Sequence, residues 1–284
     1  MRSKAEGDCM KLWTCDMAWA SHPGKVRPNN EDALLAGSPL AGAGLTQVQE
    51  RRIQASESLL LAVADGVGGH NAGEIASRET VQFLAQMLER TSERLADGLV
   101  RLHDHLRRLA GSRPDWSSMG STVAGLMAGP QGLWVFHLGD SRVYQMRDRF
   151  MELLTEDDSL ASVLIQAGQL AANDPRPAGS NALTQFLGAT HLHSPVQPHL
   201  QLVKFSGPRR FLLCTDGLFD ALSLDEMETC MAGYPRPASA CEALLTRALQ
   251  AGARDNVTLI VAEIQPVQPL ARPPPQTNNE INTP

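Results

Sequence analysis

Residues 59–70 read Leu59-Leu60-Leu61-Ala62-Val63-Ala64-Asp65-Gly66-Val67-Gly68-Gly69-His70: six apolar residues, an aspartate, then a glycine-rich turn. An apolar run of that length bounded by glycine predicts a buried strand, and the carboxylate stands where the chain leaves the sheet. The arrangement recurs. Leu133 to Leu138 is followed by Gly139-Asp140-Ser141-Arg142, Phe211 to Thr215 by Asp216-Gly217, and Asp255-Asn256 leads into Val257 to Ile264. One aspartate at a strand end is an ordinary turn residue. Four of them, with the patch Arg27-Pro28-Asn29-Asn30-Glu31-Asp32 upstream, describe an oxygen-rich site for hard cations. Carboxylates without accompanying thiols favour Mg²⁺ or Mn²⁺ over Zn²⁺ or Cu²⁺.

Outward from these junctions, a first strand is expected at Leu12 to Ala20 and a connecting loop at Ala36 to Ser58, rich in Gly, Ala, Ser and Gln. Ala76, Thr80, Phe83, Leu84, Met87 and Leu88 recur at helical spacing, which predicts an amphipathic helix over Gly73 to Arg90, with a second over Ser92 to Leu109. Thr122 to Ala128 and Leu133 to Leu138 flank Gly129-Pro130-Gln131-Gly132 and read as a hairpin. Arg142 to Met146 and Phe150 to Leu154 read as another, followed by a helix at Ser159 to Leu170 and a loop at Ala171 to Ser180. Ser223 with Glu226 is a capping box, and Ala238 to Ala251 is a further helix before a last strand at Val257 to Ile264. Hairpin-joined strands with paired helices imply α+β packing and not alternating βαβ units.

A chain of 284 residues with 43 % hydrophobic content can bury a sizeable core. A net charge of −6 argues against nucleic acid as the main partner. No apolar stretch approaches the ~20 residues that span a bilayer, so direct membrane insertion is not expected. Met1 to Met10 is polar where a secretory signal needs an apolar core. Five cysteines without close paired spacing suit a reducing compartment, and a cytoplasmic location is expected. The segment from Gln265 to Pro284, rich in Pro, Gln and Asn, is read as a disordered tail, and residues 1–12 as an N-terminal extension.

The strings RPNNED, DGVGGHNAGEIAS, GSTV, GDSRVY, LTEDDS, LTQFLGA, LCTDGL and DNVTLIV carry a stronger signal in their order and spacing. Together they resemble the metal-dependent serine/threonine phosphatases of the protein phosphatase 2C type in their bacterial form. The resemblance covers roughly Trp13 to Ile264. It implies a four-layer α-β-β-α sandwich of two antiparallel sheets, with a flap beside the active site at about Leu160 to Ser180. It also implies two Mn²⁺ or Mg²⁺ ions and a weaker third. Asp65 would bridge the pair with the Gly66 carbonyl as a further ligand, and Asp216 and Asp255 would complete the protein ligands. Asp140 with Asp216 would take the third ion, and Glu31 and Asp32 would act through water. Arg27 would clamp the substrate phosphate. The family's reaction is direct attack of a metal-activated water on phosphoserine or phosphothreonine, without a phosphoenzyme. The implied partners are phosphorylated proteins and a cognate serine/threonine kinase, with the enzyme a freestanding monomer. A second reading keeps the fold as a phosphoprotein-binding regulatory module with weak turnover.

The chain departs from the family pattern in places. Val67 stands after Asp65-Gly66 where animal members carry a histidine that protonates the leaving group, so the general acid is unassigned. His70 is read as packing the glycine-rich turn. Asp158 stands where a histidine is usual, and His22 where an aspartate often precedes the glycine of Gly24. Cys230 to Arg236 has the spacing of a cysteine-dependent phosphatase loop, but Pro235 removes one of the required N–H donors and Cys230 falls within a helix. Cys214 is read as a buried small hydrophobe, and His103, His105, His191 and His193 as surface residues.

Overall fold

The computed structural model describes residues 12–37, 46–56, 58–68, 72–87, 91–171, 177, 179–190 and 195–267. Two antiparallel sheets form its centre. The first has six strands in the order β10-β9-β12-β13-β1-β3, where β1 is Leu12–His22, β3 Gln49–Ser56, β9 Arg142–Arg147, β10 Phe150–Leu153, β12 Arg209–Cys214 and β13 Val257–Val267. The second has five in the order β11-β8-β7-β4-β2, where β2 is Ala33–Ala36, β4 Leu59–Ala64, β7 Val123–Gly129, β8 Gly132–Leu138 and β11 His199–Val203. A two-stranded ribbon of β5 (Gly66–Val67) and β6 (Gly120–Ser121) leaves the end of the second sheet.

Three apolar layers hold the sandwich together. Trp13, Trp19, Leu61, Val135, Phe211 and Ile260 fill the space between the sheets. Helices α1 (Ala72–Ala85) and α2 (Ser92–Gly111) cover the outer face of the second sheet, burying Leu84, Leu95, Leu99, Leu102 and Leu106 against Leu60, Phe136 and Leu138. On the other side, α5 (Leu224–Gly233) and α6 (Pro237–Gln250) cover the first sheet, packing Met227, Cys241, Leu244 and Ala248 against Leu212, Leu259 and Val261. The order helix, sheet, sheet, helix is the expected four-layer α+β sandwich. It explains why β4 and β7 are apolar at every position: each is buried on both faces. Truncating one of these fully buried leucines to alanine costs about 2–5 kcal/mol.

The helices begin where capping chemistry directs. Thr91 accepts a hydrogen bond from the Arg94 N–H to open α2, Ser159 accepts from Ser162 to open α3 (Leu160–Gln166), and Ser223 with Glu226 forms the expected capping box of α5. The helix expected over Gly73 to Arg90 spans Ala72–Ala85, and three further expectations need correction. The loop expected over Ala36 to Ser58 contains β3, an edge strand that pairs with β1 in the register Cys15↔Ile53 and Trp19↔Gln49. Its sequence is polar because it pairs with one neighbour on a sheet edge, where Arg52 bonds Asp16, Glu50 pairs with Arg236 and Ile53 reaches the core. The last strand runs to Val267, three residues beyond its expected end, because β1 pairs with it along its whole length from Leu12↔Val267 to His22↔Val257. The helix expected to reach Leu170 ends at Gln166, with Gly168 in a left-handed conformation just beyond. His70, His191, His193 and the segments 1–11 and 268–284 lie outside the described residues.

Candidate metal centre

The acid-bearing junctions meet at one end of the sandwich, two from each sheet. Asp65 follows β4 and Asp140 follows β8 in the second sheet; Asp216 follows β12 and Asp255 precedes β13 in the first. The junctions are cross-linked. The Asp65 N–H donates to Thr122 Oγ1 at 3.0 Å and the Thr122 N–H returns a bond to the Asp65 carbonyl at 2.9 Å. The same hydroxyl lies 2.7 Å from Ser141 Oγ, which ties the end of β4 to the turn that carries Asp140. Asp216 opens the short helix α4 (Asp216–Phe219) after the N-cap Thr215.

Glycine is required at two of these junctions by close approach. A Cβ on Gly66 would lie 2.1 Å from the Gly73 carbonyl oxygen, so only glycine lets the start of α1 pack against β5. A Cβ on Gly217 would lie 1.9 Å from the Asn256 carbonyl oxygen.

The loop between β1 and β2 brings the remaining candidates alongside, and Asn256 fastens it. Its Nδ2 donates to the Pro23 carbonyl at 2.9 Å and the Asn29 carbonyl at 2.8 Å, while its Oδ1 accepts from the Glu31 N–H at 2.7 Å. The Glu31 carbonyl accepts from the Gly66 N–H at 3.2 Å and from Ser77 Oγ at 2.5 Å. Arg27, whose side chain is 54 % exposed, donates to Asp255 Oδ2 at 2.6 Å. Asp32 is buried and accepts from Thr215 Oγ1 at 2.8 Å; the Thr258 N–H donates to that hydroxyl at 3.1 Å, and Thr258 Oγ1 pairs with Ser21 Oγ at 2.7 Å.

So many carboxyls in one place repel one another. Burial first, then the charges of Asp32, Asp216, Asp140 and Asp255, hold Asp65 far above the usual carboxylate range. Burial, then Asp216 and Asp157, pushes Asp140 up to about 7. Burial, then Asp255 and Asp220, raises Asp216 to about 6. Burial raises Asp32 to about 7, opposed by its bonds to Thr258 and Thr215. Burial also raises Glu31, opposed by Arg27. Such a group of acids ionises together only if positive charge enters it. The donors are all oxygen, the set that suits hard divalent cations.

Of the residues expected from sequence, Asp65, Asp140, Asp216 and Asp255 therefore converge, with Gly66, Glu31, Asp32 and Arg27 around them. Asn256, Thr122 and Thr215 were not singled out, although each lies within a motif string. Their work is to bond groups remote in sequence, Thr122 to Asp65 57 positions away, Thr215 to Asp32 183 and Asn256 to Glu31 225, which no local pattern encodes. Arg142 was likewise not singled out: it donates twice to Asp157, at 2.9 and 2.7 Å, with its guanidinium 3.7 Å from the centre of the Phe219 ring.

His103 departs from expectation. It is buried on the inner face of α2, and its Nδ1 accepts from the Gly188 N–H at 3.1 Å. His105 pairs with Glu79 at 3.1 Å. Cys230 is buried in α5, and burial pushes the Cys214 thiol up to about 12, so neither suits a nucleophile. A second group, His137, Asp158 and His199, brings two imidazoles and a carboxylate together. Its rings are stacked 4.5 Å apart and only 11° from parallel. Imidazole lone pairs lie in the ring plane, so two nearly parallel rings do not converge on one ion.

The protein phosphatase 2C profile matches residues 50–252, and the chain belongs to that family. Serine/threonine protein phosphatase PstP of Mycobacterium tuberculosis is 32 % identical over 253 residues, covering 86 % of this chain and 44 % of that protein. The chain thus spans under half the length of that relative. Serine/threonine phosphatase stp of Listeria monocytogenes is 30 % identical over 218 residues, covering 72 % of this chain and 84 % of that protein. Among solved structures, the catalytic domain of PstP in complex with two manganese ions superposes with a TM-score of 0.70 at 29 % identity, over 89 % of this chain and 99 % of that one.

Proposed function

We propose that the chain is a Mg²⁺- or Mn²⁺-dependent protein serine/threonine phosphatase whose catalytic unit runs from Trp13 to Ile264. The convergence of Asp65, Asp140, Asp216 and Asp255 from the ends of both sheets carries this reading. Family membership and the two manganese ions of the PstP complex support it. Asp65, the Gly66 carbonyl, Asp216 and Asp255 would hold the pair of ions, and Asp140 with Asp216 would serve a third. When bound, the ions supply an activated water and neutralise charge on the phosphoryl oxygens.

The chain's own residues do the rest. Arg27 presents a planar fork of donors to the phosphate, and its exposed position on the loop rim lets it exchange Asp255 for that ligand. Glu31 and Asp32 orient water at the edge of the acid group. Asp32 is suited to this because Thr215 and Thr258 fix its carboxylate from behind. Val67 offers no proton donor after Gly66, so leaving-group protonation falls to solvent or to a group not yet identified. The substrates are phosphoproteins, with the 160–180 segment beside the site as the flap. The enzyme works as a cytoplasmic monomer opposite a serine/threonine kinase. Among the described residues no helix is long and apolar enough to cross a membrane.

Hydrolysis of p-nitrophenyl phosphate and of a phosphothreonine peptide, with Mn²⁺ and with EDTA, tests the reading. Activity should require the metal, and Asp65→Asn and Asp216→Asn should each reduce it at least about 100-fold. Unchanged rates in both variants would overturn the assignment.

A further inference from the structure

The turn that carries Asp140 is gripped from outside the acid group by one dipeptide, Asp157-Asp158. Asp158 Oδ2 accepts from the Gly139 N–H at 2.9 Å, and the Asp158 N–H returns a bond to the Gly139 carbonyl at 2.9 Å. Gly139 immediately precedes Asp140 and has a φ of 104°, and a Cβ there would lie 2.8 Å from Thr122 Cβ. Only a residue without a Cβ fits there, so the turn is built on glycine and takes its placement from the groups that bond it. Asp157 takes the other end of the turn through its two bonds from Arg142.

The opposite side of Asp158 faces the chain that closes the 160–180 segment. Its Oδ1 accepts from Gln185 Nε2 and from His199 Nε2, each at 3.0 Å, and its carbonyl accepts from the Thr184 N–H at 2.8 Å. Gln185 in turn accepts from the Gln197 N–H at 3.0 Å, and His199 stacks on His137. Beside these contacts the Leu160 N–H donates to the Ala182 carbonyl at 2.9 Å and the Ala161 N–H to the Ser180 carbonyl at 2.7 Å, so both ends of the segment meet at Asp158. One buried carboxylate thus joins the Asp140 turn to the base of the segment.

We propose that Asp158 is a positioning residue for the phosphatase reaction: it sets the placement of Asp140 and couples that placement to its own contacts with Thr184, Gln185 and His199. The proposal rests on the reading of Asp140 as a cation ligand. It acts through Gly139, the only residue between the carboxylate's grip and Asp140. Asp158→Asn separates the two halves of the device. The amide retains an acceptor for the Gly139 N–H but turns a donor toward Gln185 and His199, which themselves donate there.

Mn²⁺ titration of the full chain, followed by the electron paramagnetic resonance of the free ion, tests this without turnover. Asp158→Ala should weaken the weakest Mn²⁺ step about 10-fold. Asp140→Asn should weaken it at least as much, and the double variant should be no weaker than Asp140→Asn alone. A residue that only supports the fold would instead lower both backgrounds alike, and that additivity would overturn the proposal. So would unaltered Mn²⁺ binding in Asp158→Ala beside a weakened Asp140→Asn. If Asp140→Asn itself bound Mn²⁺ normally, the assignment of Asp140 would fall and this inference with it, while the activity tests on Asp65 and Asp216 would stand apart. Should Asp158→Ala not fold, Asp158→Asn carries the same comparison: a smaller weakening that vanishes on the Asp140→Asn background supports the proposal, and one that persists refutes it.

Discussion

Replacing Asn256 with alanine removes three hydrogen bonds at once, to Glu31, Pro23 and Asn29, from a residue that is 5 % exposed. At a net ~1 kcal/mol for each bond, the loss is about 3 kcal/mol. For a domain of this size each kcal/mol moves the midpoint by roughly 2–4 °C, so Tm should fall by about 6–12 °C. The loop so released carries Arg27 and Glu31. KM for a phosphopeptide should therefore rise more than kcat falls, because Arg27 is the proposed phosphate clamp and the aspartates stay attached to the sheets. Asn256→Asp is the sharper test, being nearly the same shape. It keeps the acceptor for the Glu31 N–H, loses both donors, and adds a carboxylate next to Asp255. Near neutral pH it should be at least as unstable as Asn256→Ala, and the difference should close toward about pH 4 as the new carboxyl takes a proton. Calorimetry of the three proteins from acid to neutral pH, with phosphopeptide kinetics, decides the matter. If Asn256→Ala melted within about 1 °C of the parent with an unchanged KM, the loop would not depend on Asn256 and the reasoning would be refuted.

Other outcomes follow from the same geometry. Gly66→Ala should lose about 1–3 kcal/mol or more to overpacking against Gly73 and most of its metal-dependent activity, read by melting and Mn²⁺ titration together. With Asp32 and Asp140 raised to about 7 and Asp216 to about 6, these carboxyls hold more protons in the folded chain than in the unfolded one between about pH 4 and 7, opposed by His22, His103 and His137, which burial lowers. In EDTA, Tm should fall as pH rises through that window, and Mn²⁺ should flatten the slope; a metal-free Tm that climbs from pH 5 to 7 would contradict the assignment. Thiol alkylation of the native protein should leave activity intact, because Cys15, Cys214, Cys230 and Cys241, the cysteines among the described residues, are all buried; rapid inactivation of a Cys9→Ser variant would point to cysteine chemistry instead.

What the sequence made legible follows from burial. β4 and residues 211–214 of β12 lie inside four layers, so they write themselves as unbroken apolar runs, and the acids that follow them are visible by contrast. β3 and β11 lie on sheet edges, where backbone pairing with one neighbour suffices and residues such as Arg51 or Gln201 are tolerated. Their apolar trace is short and broken, Ile53 in β3 and Leu200, Leu202 and Val203 in β11. His103 was misread because its neighbours Asp104 and His105 make the local string polar, whereas its place one position after Leu102 turns it inward. The partners of Asn256, Thr122 and Asp158 were illegible for a different reason: each bonds to chain that only tertiary folding brings near.

Because two of the four acid-bearing strand ends belong to each sheet, the span across the site is gauged by the thickness of what lies between the sheets. Side chains such as Leu61, Val135 and Ile260, remote from any phosphate, act as spacers in a pair of calipers. Enlarging or shrinking them should retune ion affinity before it unfolds the protein, and selection on such spacers would look like selection on the catalytic groups themselves.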